Sequence, residues 1–197
     1  FIGGKITEVA RAVSHWTREA RSAAEMGVLG AEAASQAMTG CGRISTLIAP
    51  TDCHWDPAPH APQSVTPVPT PRVSDHTIEA AAALLNSGRK TGILLGTHAL
   101  REEGLEIAGR IAARTGAQLL AETFPARLAR GEGRVEVQLV PYFLEMAQFF
   151  FAEYEQIILV GALPPVATFA YEGSPSHKAP PSCEVTSLAT PDFDIMA

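Results

Sequence analysis

Two short runs of this sequence decide the fold: Thr91-Gly-Ile-Leu-Leu-Gly96 and Gln156-Ile-Ile-Leu-Val-Gly161. Each is an unbroken apolar run that ends in a glycine. Such runs are typical of parallel strands that helices cover on both faces, because neither face then needs polar residues. A third run, Ala117-Gln-Leu-Leu-Ala121, lies between them after a stretch of helical periodicity. The resulting β-α-β-α-β order predicts an α/β domain with a parallel, Rossmann-like sheet in three layers.

Ligands of such sheets bind at the carboxyl ends of the strands. The residues that follow the predicted strands are therefore the candidate binding residues: Gly96, Thr97, Thr123, Phe124, Gly161 and Ala162. Arg127 lies a few positions after the middle strand and has two interpretations. It is either the partner of a phosphate or carboxylate, or, with Arg130, a solvated charge at a helix end. No catalytic residue is predicted.

The segment Gly96-Thr-His-Ala-Leu-Arg101 also has two interpretations. Backbone N–H groups at a helix start can hold a phosphate, but a plain turn between strand and helix fits the same residues. The closely spaced glycines of a dinucleotide fingerprint are absent from this sequence. The plain turn is therefore the favoured interpretation.

Composition limits the partners of the chain. Its 197 residues carry a net charge of -6 without a basic stripe, which disfavours nucleic acid and anionic membrane surfaces as partners. No apolar run approaches the roughly 18 residues of a membrane span, so a cytoplasmic protein is expected. Cys41, Cys53, His54 and His60 lack the short step between paired zinc ligands, and no metal site is predicted.

The chain divides at a stretch that is rich in proline. Residues 1–58 show helical periodicity over Ile6–Ala20 and Met26–Met38, followed by a strand over Arg43–Pro50. Two helices and one strand do not enclose a core, so this part is expected to be the end of a domain whose beginning is absent. Residues 59–73 read as an extended linker. Residues 74–197 form the second domain, which begins with a helix capped by Ser74 and ends with the strand Cys183–Leu188.

The order of several motifs resembles thiamine-diphosphate-dependent enzymes of the acetolactate synthase and benzoylformate decarboxylase type. The motifs are Ile48-Ala-Pro-Thr-Asp52, Ala81-Ala-Ala-Leu-Leu85, Ile93-Leu-Leu-Gly96, Gly109-Arg-Ile-Ala-Ala-Arg-Thr-Gly116, Ala121-Glu-Thr-Phe-Pro-Ala-Arg127, Ile158-Leu-Val-Gly-Ala162 and Pro165-Val-Ala-Thr-Phe-Ala-Tyr171. They run through essentially the whole chain. No single motif is diagnostic, and their order and spacing carry the resemblance.

The resemblance implies that residues 1–58 are the end of a pyrimidine-binding domain and residues 74–197 a mainly structural central domain. It implies a decarboxylase or carboligase acting on a 2-oxo acid, assembled as a dimer or tetramer. Thiamine diphosphate and Mg²⁺ would be held by motifs outside this chain. Some members of the family bind FAD in the central domain, but Gly96-Thr-His98 and Gly161-Ala-Leu-Pro-Pro165 depart from their pattern. These departures make FAD doubtful here.

Two other functions fit the same residues. A free-standing Rossmann-like module would bind a nucleotide such as FAD or ADP without chemistry of its own. A structural partner subunit would bind no small ligand. The first alternative predicts a ligand at the carboxyl edge of the sheet, with Arg127 beside its phosphate.

Overall fold

A computed structural model describes residues 4–40, 42–58, 65–170 and 172–197. The chain divides into two compact units, Phe1–Thr70 and Pro71–Ala197. The predicted linker over 59–73 lies across this division. Its residues 59–64 are outside the described ranges, and residues 65–73 form no helix or strand. Cys41, His60 and Tyr171, which the sequence analysis named, are also outside those ranges.

The first unit contains three helices and two strands within its described residues. In chain order they are α1 (Ile6–Val13), β1 (Trp16–Glu19), α2 (Ala23–Ala37), β2 (Ser45–Ile48) and α3 (Asp52–Trp55). The two strands pair in parallel, with Trp16 opposite Ser45 and Glu19 opposite Ile48. The Ser22 hydroxyl caps α2 by accepting a hydrogen bond from the Glu25 amide.

The prediction of one helix over Ile6–Ala20 was wrong in its second half. The chain turns to extended backbone at Ser14, and Trp16–Glu19 forms β1 instead. The hydroxyls of Ser14 and Thr46 lie 2.7 Å apart, which joins the two segments just where the helix ends. Trp16 and Ala20 have a spacing that suits a helix, but pairing with a distant strand decided the conformation. Tertiary contacts of this kind override local propensity.

The second unit alternates strands and helices. In chain order they are α4 (Asp75–Leu85), β3 (Thr91–Leu95), α5 (Glu102–Thr115), β4 (Gln118–Ala121), β5 (Gln138–Leu139), α6 (Leu144–Phe151), β6 (Gln156–Val160) and β7 (Glu184–Ala189). A short 3-10 helix, Thr97–Leu100, follows β3. The Ser74 hydroxyl accepts from the Thr77 amide, so the predicted cap of α4 is present. The two residues of β5 are too few for a sequence pattern to predict.

All five strands of the second unit are parallel, in the order β5-β4-β3-β6-β7. Leu94, Ile157 and Leu159 face one core cluster together with Phe151 of α6. Ile93 and Leu95 face the opposite cluster together with Leu105 of α5. Helices therefore cover both faces of the sheet, which explains the unbroken apolar runs. The predicted three-layer α/β architecture is confirmed.

Gln156 fastens α4 to the amino-terminal edge of the sheet. Its side chain is 1% exposed, and its Nε2 donates to the Leu84 carbonyl at 2.8 Å and to the Thr91 hydroxyl at 2.6 Å. Leu84 lies in the last turn of α4, where carbonyl groups lack helical partners. A buried amide that donates to such a group stabilises the fold. Gln156 lies at the edge opposite the strand ends where ligands bind, so we assign it a structural role.

We expect Gly96→Ala to be strongly destabilising. A methyl group there would overlap the Gly161 carbonyl oxygen and lie 2.8 Å from the Gly161 carbonyl carbon, so backbone would have to move. Overpacking of this kind costs about 1 to 3 kcal/mol or more. Gly30→Ala is the matched control, because no atom lies within 4 Å of its added methyl group and it sits inside α2. Urea unfolding should show a large loss for Gly96→Ala and no loss for Gly30→Ala.

Candidate functional site

The candidate site includes the switch point of the sheet, the place where the chain stops adding strands on one side of β3 and starts adding them on its opposite side. From β3 the chain adds β4 and β5 on one side, and from β6 it adds β7 on the other. The switch point therefore lies between the ends of β3 and β6, where Gly96 and Gly161 stand. The Gly96 amide donates to the Val160 carbonyl at 2.9 Å, and the backbones of the two glycines are in direct contact. The structure therefore brings these two predicted residues together at adjoining strand ends.

Thr97 is held in an unusual conformation beside this contact. Its φ of 45° lies in the left-handed region, and it is the one residue other than glycine with a positive φ in the part of the chain that the structure describes. Its hydroxyl is buried without a hydrogen-bond partner among those residues. A methyl group added at Gly161 would lie 2.7 Å from this hydroxyl and would also overlap Ile195. A conformation of this kind costs about 1 to 3 kcal/mol, which the surrounding contacts must offset.

The segment after β3 favours the plain turn over the phosphate-binding turn. Thr97–Leu100 is a short 3-10 helix, and α5 starts only at Glu102. The first turn of α5 carries Glu102 and Glu103. Two carboxylates at a helix N-terminus occupy the region of positive potential that a phosphate would need. Glu102 is itself paired with the Arg134 guanidinium. Both carboxylates nevertheless occupy the helix start, which disfavours an anion there.

A second group of residues lies where β4 and β5 end. The Lys178 ammonium donates to the Thr123 hydroxyl at 3.0 Å and to the Pro141 carbonyl at 3.2 Å. The Thr123 hydroxyl also donates to the Pro141 carbonyl at 3.3 Å. Lys178 comes from the long connection between β6 and β7, so three separate segments meet at one ammonium group.

The burial of Lys178 is unusual for a lysine. The residue is only 4% exposed, and no carboxylate of the described residues lies within 4.0 Å of its ammonium. Desolvation lowers its pKa from the ordinary value of 10.5, and the charge of Glu122 acts in the opposite direction. Sequence analysis missed Lys178, because a lysine between His177 and Ala179 in a proline-rich connection carries no local signal of burial.

An aromatic cluster, formed by Phe124, Tyr142, Phe143 and Phe169, covers the same edge. The Tyr142 ring is its centre, with ring centroids 5.3 Å from Phe124, 5.2 Å from Phe143 and 5.8 Å from Phe169. The three phenylalanines are 72%, 58% and 51% exposed, respectively. Tyr142, Phe143 and Phe169 also line a cavity of about 330 Å³. Of this cluster the sequence analysis named only Phe124 as a binding residue.

Two further predicted binding residues, Arg127 and Ala162, lie outside both of these groups. Ala162 is buried in the core cluster on the α6 face of the sheet. Arg127 is exposed and makes no ion pair with a described residue. The residues after it turn to the other face, where Leu128 and Ala129 pack against the cluster beside α5. The predicted residues thus form separate groups along one edge of the sheet.

The second unit also has an apolar cavity of about 230 Å³ on the α4 and α5 face. Its lining includes Ile93, Val160 and Ile111, and Asp194 is its one charged lining residue. Pockets for small ligands usually measure about 300 to 1,000 Å³ and contain several convergent polar groups. This cavity is better described as a packing gap between the helices and the sheet.

The described residues offer no metal centre. None of them form a group of three or more His, Cys, Asp and Glu side chains that could hold a metal ion. Cys53 and Cys183 are buried free thiols, and burial raises the pKa of Cys183 to about 11. Such thiols are weak metal ligands and weak nucleophiles near neutral pH, because the thiolate is the reactive form. No helix within the described ranges has both the length and the apolar character to cross a membrane.

Comparison with known proteins gives a consistent result. The chain is 40% identical over 186 residues to a Mycobacterium tuberculosis (strain ATCC 25618 / H37Rv) protein named "Putative acetolactate synthase large subunit IlvX". The match covers 94% of this chain and 36% of that protein. The chain therefore spans about a third of the length of the curated relative it matches. No family model matches the chain.

Solved structures share the fold at low sequence identity. A Mycobacterium smegmatis protein described as a "putative thiamin diphosphate-dependent enzyme" superposes with a TM-score of 0.75 at 19% identity, covering 93% of this chain and 35% of that one. A thiamine diphosphate-dependent 4-hydroxybenzoylformate decarboxylase of Rhodococcus jostii RHA1 superposes with a TM-score of 0.72 at 16% identity, covering 96% and 36%. The resemblance seen in the sequence is confirmed. Over 94% of its length the chain is similar to part of a protein named as a putative acetolactate synthase large subunit, and it shares the fold of part of two proteins described as thiamine diphosphate-dependent.

The lowered pKa of Lys178 predicts a pH dependence of stability. At pH values between the lowered pKa of Lys178 in the folded protein and its ordinary value of 10.5, Lys178 is protonated more fully in the unfolded chain than in the folded one. The free energy of unfolding therefore rises with pH over this range. Urea unfolding of the wild type and of Lys178→Met across this alkaline range should show the wild type gaining stability relative to the variant. Lys90→Met, which removes an exposed lysine, is the control. A constant difference between wild type and Lys178→Met would contradict this prediction.

Proposed function

We propose that this chain is part of a thiamine-diphosphate-dependent 2-oxo acid decarboxylase or carboligase. Residues 1–58 would be the end of its pyrimidine-binding domain, residues 59–73 a linker, and residues 74–197 its central domain. The observation that carries the proposal is the 40% identity to an acetolactate-synthase-type relative across 94% of the chain. The parallel sheet in the order β5-β4-β3-β6-β7 supports it through the shared fold.

The central domain serves mainly as a scaffold in this proposal. When bound to the intact enzyme, thiamine diphosphate would supply the carbon nucleophile for chemistry on a 2-oxo acid. The described residues include no cluster of acidic or imidazole ligands that would hold its Mg²⁺. Cofactor and metal would therefore be held by other parts of the intact polypeptide. The contribution of this chain is the rigid sheet and the residues that it presents at its carboxyl edge.

We propose that the crevice at the switch point holds no flavin. The close contact between the Gly96 and Gly161 backbones disfavours a ligand group inserted between the ends of β3 and β6. Glu102 and Glu103 disfavour a phosphate at the start of α5. Both observations also weigh against a free-standing nucleotide-binding module. Arg127 remains the proposed contact for an anionic group that approaches from solvent.

The assembly and location of the intact enzyme are proposed from the same resemblance. We expect a dimer or tetramer in the cytoplasm, with a 2-oxo acid as substrate and neither nucleic acid nor a membrane as a partner. Helix α1 is consistent with an oligomer, because Ile6, Val9 and Val13 are 59%, 71% and 63% exposed. An exposed apolar stripe of this kind is common at protein interfaces.

The decisive experiment measures decarboxylation by the purified intact protein. With thiamine diphosphate and Mg²⁺ present, we expect release of CO₂ from pyruvate or benzoylformate, and none when the cofactor is left out. Formation of acetolactate from pyruvate would identify a carboligase, and an aldehyde product a decarboxylase.

A panel of candidate ligands tests the alternative. The proposal fails if thiamine diphosphate gives neither turnover nor a thermal shift while ADP, FAD or NAD stabilises the protein. A ligand present at 100 times its dissociation constant stabilises the folded state by about 2.7 kcal/mol, which a thermal-shift assay detects readily.

A further inference from the structure

Lys178 joins three segments, two of which lead directly into the aromatic cluster. Its ammonium binds the Thr123 hydroxyl and the Pro141 carbonyl. Phe124 and Tyr142 follow these two acceptors in the sequence, and their rings are in edge contact. Lys178 therefore fixes the residues that immediately precede both rings, and the positions of the rings depend on it.

The third segment, here called the arm, comprises residues 165–170 and 172–178. Its two ends lie side by side. The Lys178 amide donates to the Pro165 carbonyl at 2.9 Å, and the Ala167 amide donates to the Ser176 carbonyl at 2.7 Å. Val166 and His177 form an antiparallel bridge between these bonds. Phe169, the cluster member on this arm, lies just beyond the bridge. Lys178 thus holds the base of the arm through its backbone and the ends of β4 and β5 through its side chain.

Stability does not account for a lysine at this position. Burying an ammonium costs free energy that an apolar side chain of similar length would not cost. The hydrogen bonds to Thr123 and Pro141 offset part of that cost. Unlike an apolar residue, a lysine has a compact ammonium group with three donors, which can bond to acceptors on different segments.

We propose that Lys178 is a positioning residue that fixes the aromatic cluster at the carboxyl edge of the sheet. It thereby sets the surface that this edge presents to the 2-oxo acid in the intact enzyme. The fixing of the cluster stands on the contacts above and is independent of the reaction. The effect on turnover rests on the proposed function, so the two parts are tested separately.

Fluorine NMR of the intact protein labelled with fluorotyrosine tests the first part. Among the three tyrosines of the chain, Tyr142 is the centre of the cluster, and Tyr154 lies under the Lys90 ammonium, 5.7 Å from its ring centroid. Tyr142→Phe and Tyr154→Phe assign the two resonances. We expect Lys178→Met to shift and broaden the Tyr142 resonance and leave that of Tyr154 in place. Lys90→Met, the matched control, should do the reverse.

A second variant and a second measurement cover the case in which Lys178→Met folds poorly. Thr123→Val removes one acceptor of the ammonium and should move the same Tyr142 resonance. In both variants, chymotrypsin cleavage after Phe169 should become about tenfold faster or more, because loss of a charged hydrogen bond shifts local opening by that factor. An unchanged Tyr142 resonance and an unchanged cleavage rate would overturn the proposal.

Turnover tests the second part. If the intact protein decarboxylates a 2-oxo acid, Lys178→Met should lower kcat/KM by up to about 100-fold, because displaced substrate contacts act on the reacting geometry. Lys90→Met should leave kcat/KM unchanged. A wild-type protein without this activity would refute the proposed function and leave the NMR result to decide the role of Lys178. An active Lys178→Met variant with unchanged kcat/KM would refute the link between the cluster and substrate.

Discussion

The pairing of β3 with β6 is the interaction on which the rest of the second unit depends. These strands run side by side from Thr91 opposite Gln156 to Leu95 opposite Val160. Their apolar side chains belong to the core clusters on both faces of the sheet. Because each strand is buried on two sides, the pair fixes where α5 and α6 pack and leaves its ends as the places where polar groups can gather.

The two edges of the sheet use their buried polar groups differently. At the amino-terminal edge, the Gln156 Nε2 donates to a carbonyl of α4 and to the Thr91 hydroxyl, while the Oε1 of the same amide is buried without a partner among the described residues. At the carboxyl edge, Thr97 adopts a left-handed conformation with a buried hydroxyl that lacks a partner among the described residues. The same edge holds the buried ammonium of Lys178. The strained backbone of Thr97 and the buried ammonium of Lys178 thus both lie at the edge where sheets of this kind bind ligands.

The carboxyl edge holds a strained residue and a buried charge, and it is the edge to which the proposed function assigns contact with substrate. At the switch point the backbones of Gly96 and Gly161 are in close contact. This edge also presents an aromatic cluster held by hydrogen bonds among three segments. Such a surface suits contact with a substrate or with another part of the same enzyme, since aromatic side chains contribute large contact areas.

The sequence by itself determined the α/β class, the central strands and the resemblance to thiamine-diphosphate-dependent enzymes. Unbroken apolar runs such as Ile157-Ile-Leu-Val160 report burial on both faces directly, and the cap at Ser74 is a local interaction. Only the tertiary structure decided what depends on distant partners. Trp16–Glu19 became a strand because β2 lies beside it, although its spacing suits a helix. Lys178 became a buried residue because Thr123 and Pro141, far away in the chain, supply its acceptors. Local patterns encode periodicity and capping, whereas the burial of a polar group is set by which segments the fold brings together.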